Sequence, residues 1–70
     1  MMPLVLSTPG EENIIKRVGG GPAMKKHLED MGFVVGGSVT VVSTIGGNLI
    51  VKIKESRVAI SREMAGKIMI

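Results

Sequence analysis

The sequence predicts a mostly β fold, a small antiparallel β-barrel carrying one α-helix. Three observations lead there. Short strand-like segments recur between turn residues: "NIIKRV" (13–18), "SVTVVST" (38–44), "NLIVKIK" (48–54), "RVAIS" (57–61) and "KIMI" (67–70); short strands at such close spacing are what barrels and sandwiches are built from. Only one stretch, around 22–31, repeats apolar residues at helical spacing. Finally, 70 residues without a linker-like stretch make one domain, 1–70, near the lower limit for independent folding. A lone sheet of this size would leave one face wet, so the helix is best used as a plug across an open side or end of the barrel.

"TPGEEN" (8–13) reads as a turn, because Pro9 presets φ and Gly10 can take the positive φ a tight turn needs. The β-branched segment 13–18 follows as a first strand and ends at the glycines 19–21. Pro22 suits the first turn of a helix, where its missing N–H costs nothing. Met24, Leu28 and Met31 fall at i, i+4 and i+7 and form one narrow apolar stripe, with Lys25, Lys26, Glu29 and Asp30 off it. The pairs Lys25–Glu29 and Lys26–Asp30 run lysine-first, the weaker orientation. Gly32 is placed to end the helix in a left-handed conformation. With Met31 as C-cap, Leu28 and Phe33 become the two positions that touch in a Schellman ending.

Beyond the "VVGG" turn, Val39 and Val41 share one strand face, and Leu49, Val51 and Ile53 share another. "IGGN" (45–48) supplies a hairpin turn. "ES" (55–56) leads by a short turn into the strand of Val58 and Ile60. Ser61 is a plausible N-cap for one helical turn over 62–66, and 67–70 form the last strand. The predicted core is Val39, Val41, Leu49, Val51, Ile53, Val58 and Ile60. Ile15, Val42, Ile50 and Met69 occupy the opposite strand positions and face outward. The helix and the segment Leu4 to Leu6 are expected to cover them, and whatever stays uncovered is a partner surface.

Composition narrows the function classes. There is no cysteine, so disulfides and thiolate metal sites are excluded, and the chain suits a reducing cytosol. The only aromatic residue is Phe33, leaving aliphatics and six methionines to fill the core. No apolar run approaches the ~20 residues of a membrane span, and "MMPLVLSTPGEE" lacks the basic and apolar regions of a signal peptide. The net charge of +3 is mild and selects no partner class.

Motifs for chemistry are few. "GGGPAMKK" places glycines and lysines at a helix start, as anion cradles do. It lacks the P-loop spacing and a downstream acid for Mg²⁺, so a flexible strand-to-helix turn is the better reading. His27, the single histidine, makes a poor metal site without thiols and is read as a partly buried or rim residue. No Ser/His/Asp set, nucleophilic cysteine or paired carboxylates point to an enzyme. Catalytic, cofactor-binding and metal-binding residues are therefore all read as none. The basic residues are scattered, and no Tyr or Trp offers a stacking platform, which argues against single-stranded nucleic acid. The candidate partner-binding residues are Val42 and Ile50 as apolar anchors beside the Gly46–Gly47 turn, with Lys25 and Lys26 as steering charges.

The order of parts, a glycine-rich turn, "KKHLEDMGFVVGGSVTVV", a glycine hairpin and "VKIKESRVAISREMAGKIMI", resembles the FeoA family of ferrous iron transport accessory proteins. Met31-Gly32 stands for the family's helix end and Gly36 for its turn glycine. Ala65 and Ile68 fall at the Ala and Ile that follow the family's C-terminal strand. Val35 replaces the usual turn proline, and "TIGGN" is shorter than the common Gly-Asp-Pro loop; both departures lie in loops and bear on partner contacts. The resemblance implies an SH3-like barrel without resident cofactor. It implies a non-enzymatic cytoplasmic accessory of bacterial Fe²⁺ uptake, bound to the cytosolic GTP-binding domain of the FeoB transporter, neither inserted in the membrane nor bound to nucleic acid. Two alternatives stand beside it: a regulatory module related to the C-terminal domain of iron-dependent repressors, and a small nucleic-acid-binding barrel, whose affinity would fall steeply with salt.

Overall fold

The computed structural model describes all residues from Met1 to Ile70. A 3₁₀ turn (Leu4–Leu6) is followed by β1 (Glu12–Ile14), β2 (Arg17–Val18), α1 (Pro22–Asp30), β3 (Ser38–Ile45), β4 (Asn48–Ile53), β5 (Ser56–Ser61), α2 (Arg62–Ala65) and β6 (Ile68–Met69). The strands form two antiparallel sheets, one in the order β1-β3-β4-β5 and a smaller one pairing β2 with β6.

The turn 8–11 is closed by the N–H of Glu11 donating to the Thr8 carbonyl at 3.2 Å, with Gly10 at φ 91. A positive φ at the third residue is what a type II turn demands. The N–H of Gly10 also donates to the Val41 carbonyl at 2.8 Å, which fastens this turn to β3.

The single strand expected over 13–18 is two strands in two sheets. β1 pairs with β3, placing Glu12 opposite Thr40 and Ile14 opposite Ser38, whereas β2 places Arg17 opposite Met69. Ile15 and Lys16 carry the chain across. The N–H of Ile15 donates to Gly37 and its carbonyl accepts from Gly36, while the N–H of Lys16 donates to Met69. Alternation runs through the half-exposed Ile14 and the wholly buried Ile15 and breaks at the crossing, where Lys16 and Arg17 are both exposed. The outward placement of Ile15 is thereby corrected. The reason is the phase of β1, in which Glu12 and Ile14 turn outward while Asn13, opposite the buried Val39, and then Ile15 turn inward.

The helix ends as its sequence requires. The N–H of Phe33 donates to the Leu28 carbonyl and the N–H of Gly32 to Glu29, both at 2.9 Å, with Gly32 at φ 106. These two bonds define a Schellman ending, and Leu28 and Phe33 are both fully buried. The N–H of Met64 donates to Ser61 Oγ at 3.1 Å and so caps α2.

Two features of the large sheet were not expected. Between Val41↔Val51 and Ser43↔Ile50 the register slips, so Val42 is the extra residue of a β-bulge with no partner on β4. The β4–β5 turn is made by Lys54 and Glu55 and not by 55–56, since Ile53 already pairs with Ser56. Lys54 adopts φ 54, a conformation that ordinary side chains avoid and glycine takes freely.

The core joins the inner face of the large sheet (Val39, Val41, Leu49, Val51, Ile53, Ile60) to Leu28 and Phe33. Leu4, Ile15, Val18, Ala65, Ile68 and Ile70 complete it. Val58 packs at its margin and is only partly buried. The N-terminal segment lies along the final strand. Pro3 bridges Met69, and Met2 and Ile70 exchange backbone hydrogen bonds at 2.9 and 2.8 Å. Leu4 is thereby buried, while Leu6 remains exposed.

Candidate docking surface

The outer face of the large sheet is set by register. Glu12, Thr40, Lys52 and Arg57 stand opposite one another in a single row across all four strands. Beside this row, Ile14 faces Ser38 on one side, and Ser43, Ile50 and Ala59 form the next row on the other. Glu12, Ser38, Thr40, Lys52 and Lys54 line a cleft of about 200 Å³ with no apolar side chain in its wall. Neither lysine, nor Arg57, lies within 4.0 Å of a carboxylate. The molecule's ion pair is elsewhere, between Lys26 Nζ and Asp30 Oδ2 at 3.6 Å on the exposed side of α1.

The four residues singled out from the sequence do not form one patch. Ile50 alternates with the buried Leu49 and Val51, so it projects from the outer face, half-buried next to Ser43 and Ala59. Val42, at the bulge, is 37% exposed. Lys25 and Lys26 are exposed on α1, whose Leu28 enters the core together with the inner face of β4. The two lysines and Ile50 therefore lie on opposite sides of the sheet. Met69 is half-buried between Arg17 and Pro3.

Other apolar side chains stand further out than Val42: Leu6, Ile14, Val35 and Ile45 are each about half exposed or more. Ile14 and the pair Val34–Val35 come from adjacent backbone, since Ile15 is bonded to both Gly36 and Gly37. Sequence reasoning passed over them because "VV" before "GG" was read only as part of a turn. The signal was present: a type II turn exposes its second residue, and Val35 holds that position, with the N–H of Gly37 donating to Val34 at 3.0 Å. His27, expected to be partly buried or at a rim, is exposed, because it falls off the stripe that Leu28 anchors. No three His, Asp or Glu side chains gather where they could hold a metal ion, and no helix is long and apolar enough to cross a membrane.

Comparison with known proteins places this architecture. The family model described as the FeoA domain matches residues 2–70. The Fe(2+) transport protein A assigned in Methanocaldococcus jannaschii is 36% identical over 70 residues, covering all of this chain and 85% of that one. Among solved structures, the iron uptake regulatory protein FeoA superposes with a TM-score of 0.87 at 26% identity, over 96% of this chain and 91% of that one. The zinc complex of Stenotrophomonas maltophilia FeoA, described as a procaryotic SH3 domain protein, gives a TM-score of 0.85 at 23% identity, over 99% and 88% of the two chains. The fold is thus SH3-like, mostly β with one main helix. With its whole length matched by the family model and by a relative of this identity, the chain belongs to the FeoA family.

Proposed function

We propose that this chain is a non-enzymatic, cytoplasmic accessory of ferrous iron uptake that docks on the cytosolic GTP-binding domain of a FeoB-type membrane transporter. The supporting observation is a pair of apolar side chains on the β3–β4 hairpin, Val42 at a bulge and 37% exposed, and Ile50 half-buried on the outer sheet face. Bulges commonly re-aim a side chain or end a strand pairing, and apolar anchors carry most of the affinity at protein interfaces. The lysines of α1, on the other side of the sheet, are suited to steering encounter, which sets association rate and salt dependence more than affinity.

The test is a titration of the labelled protein against the isolated cytosolic domain of its cognate transporter. Saturable binding is expected. Ile50→Asp should weaken it by about tenfold or more, the cost of losing one apolar anchor. Charge reversal at Lys25 and Lys26 should slow association more modestly. Thermal unfolding of the Ile50 variant serves as the control. A folded Ile50→Asp protein that binds like wild type would move the interface to the helix or to the Ile14–Val35 patch. Failure of the wild type to saturate would remove the transporter reading altogether.

A further inference from the structure

We propose that the cleft lined by Ser38, Thr40, Lys52 and Lys54 is a binding site for a small oxyanion, specifically a phosphate group. This goes beyond the docking reading and stands without it, because it concerns a ligand of the isolated chain.

The charge arrangement is the first support. Register places Lys52 directly opposite Arg57, and like charges at opposed positions of neighbouring strands repel. Lys54 follows at the turn, and no carboxylate reaches within 4.0 Å of any of the three. The sheet thus holds cations side by side without an ion pair, and an anion in the cleft, beside Lys52 and Lys54 that line it, would offset that repulsion.

The donors are the second support. Thr40 stands next to Lys52 in the row, with Ser38 two residues away on the same face, so both hydroxyls belong to the wall that carries the lysines. Hydroxyls and ammonium groups together supply the short charge-assisted hydrogen bonds that phosphate oxygens accept. The backbone adds a third. Lys54 is the one non-glycine residue at positive φ. A turn position that glycine or asparagine would fill at lower cost instead presents a lysine to the cleft.

Size restricts the occupant. About 200 Å³ exceeds the share of several waters but falls below the ~300–1,000 Å³ of pockets that enclose drug-sized molecules. The space suits a phosphate group, with anything attached to it left outside. Glu12 is the opposing element, because its carboxylate lies in the same wall and disfavours a second negative charge.

The experiment follows backbone amide NMR shifts of the isolated protein during titration with sodium phosphate, against sodium chloride at matched ionic strength. Saturable shifts centred on Ser38, Thr40, Lys52 and Lys54 are expected with phosphate and not with chloride. Lys52→Met combined with Lys54→Asn, the latter tolerant of positive φ, should weaken binding by about tenfold or more, as expected for losing two charged donors. Glu12→Gln should strengthen it severalfold, while Lys25→Met with Lys26→Met should leave it unchanged. A parallel titration with glycerol 3-phosphate separates the sources: tighter binding of the ester means a phosphate group carried on a larger molecule, and tighter binding of the inorganic ion means free phosphate. Shifts that fail to saturate, that chloride reproduces, or that weaken in the Glu12 variant would overturn the site.

Discussion

The two faces of the four-stranded sheet are built from neighbouring residues and have opposite characters. On β4, Leu49, Val51 and Ile53 are buried while Lys52 is exposed and Ile50 only half covered. The inner face is aliphatic at its buried positions, which it shares with Leu28 and Phe33, and the polar Asn13 and Ser56 stand at the ends of one row. The outer face mixes a glutamate, hydroxyls, lysines and an arginine with isolated apolar groups. Stability resides on the first, since burying each large aliphatic side chain contributes ~1.5–3 kcal/mol. The second contributes little to folding and is therefore free to vary for binding. One strand serves both purposes because alternate side chains never meet.

Substitutions can break or sharpen this contrast. The largest effect is expected for Leu28→Ala, which empties the inner side and removes the Phe33 contact that ends the helix. A loss of ~2–5 kcal/mol in urea unfolding is expected for such a truncation. That is a large share of a small domain's stability. A loss below about half a kcal/mol, the range of neutral surface changes, would mean that α1 does not cover the inner face. Ile60→Val deletes a single buried methylene and should cost ~0.5–1.5 kcal/mol.

Val35→Pro lies away from both faces, at the second position of the 34–37 turn, where the Val35 N–H donates no backbone hydrogen bond. It should stabilise by ~0.4–1 kcal/mol through the unfolded chain, raising the thermal midpoint. Destabilisation would show that the turn is not of type II. Lys52→Ala should fall within about 0.5 kcal/mol of wild type by the same urea measurement, although it removes far more atoms than Ile60→Val. Reversal of the order of these two would erase the distinction between the faces.

Which parts were legible in the sequence depends on how far the deciding partner lies along the chain. The Schellman ending at Gly32 and the Ser61 cap are set by residues within five positions, and both were readable as written. The inner faces of β3 and β4 were readable because alternation holds along β4 and along β3 as far as Val41. The split of 13–18 was not, because the partner of its first half is β3 and that of its second half is β6, and nothing in "NIIKRV" records the change. The bulge at Val42 was hidden for a related reason: no glycine marks it, and it exists only relative to β4. The cleft was missed because its members come from β1, β3, β4 and the β4–β5 turn, and as a sequence its lysines look like scattered charge. The candidate anchors Val42 and Ile50 both belong to the β3–β4 hairpin, while Lys25 and Lys26 stand on the other side of the sheet, a separation no local pattern records.

The pairing of the chain's two ends has a consequence in time. The β3–β4 hairpin closes through the two residues Gly46 and Gly47, a step that takes ~1–10 μs for hairpins in general. The bonds between Met2 and Ile70, and the pairing of Arg17 with Met69, must instead wait for nearly the whole chain to be drawn together. Long closures cost more entropy and slow the steps that depend on them. The expected order of assembly is the β3–β4–β5 meander first, with its cationic row already aligned, and the clasp of the ends last. Pulse-labelled hydrogen exchange should accordingly protect Val51 and Ile60 before Ile70. Simultaneous protection would mean that the hairpin has no lifetime of its own and that the clasp is part of the nucleus.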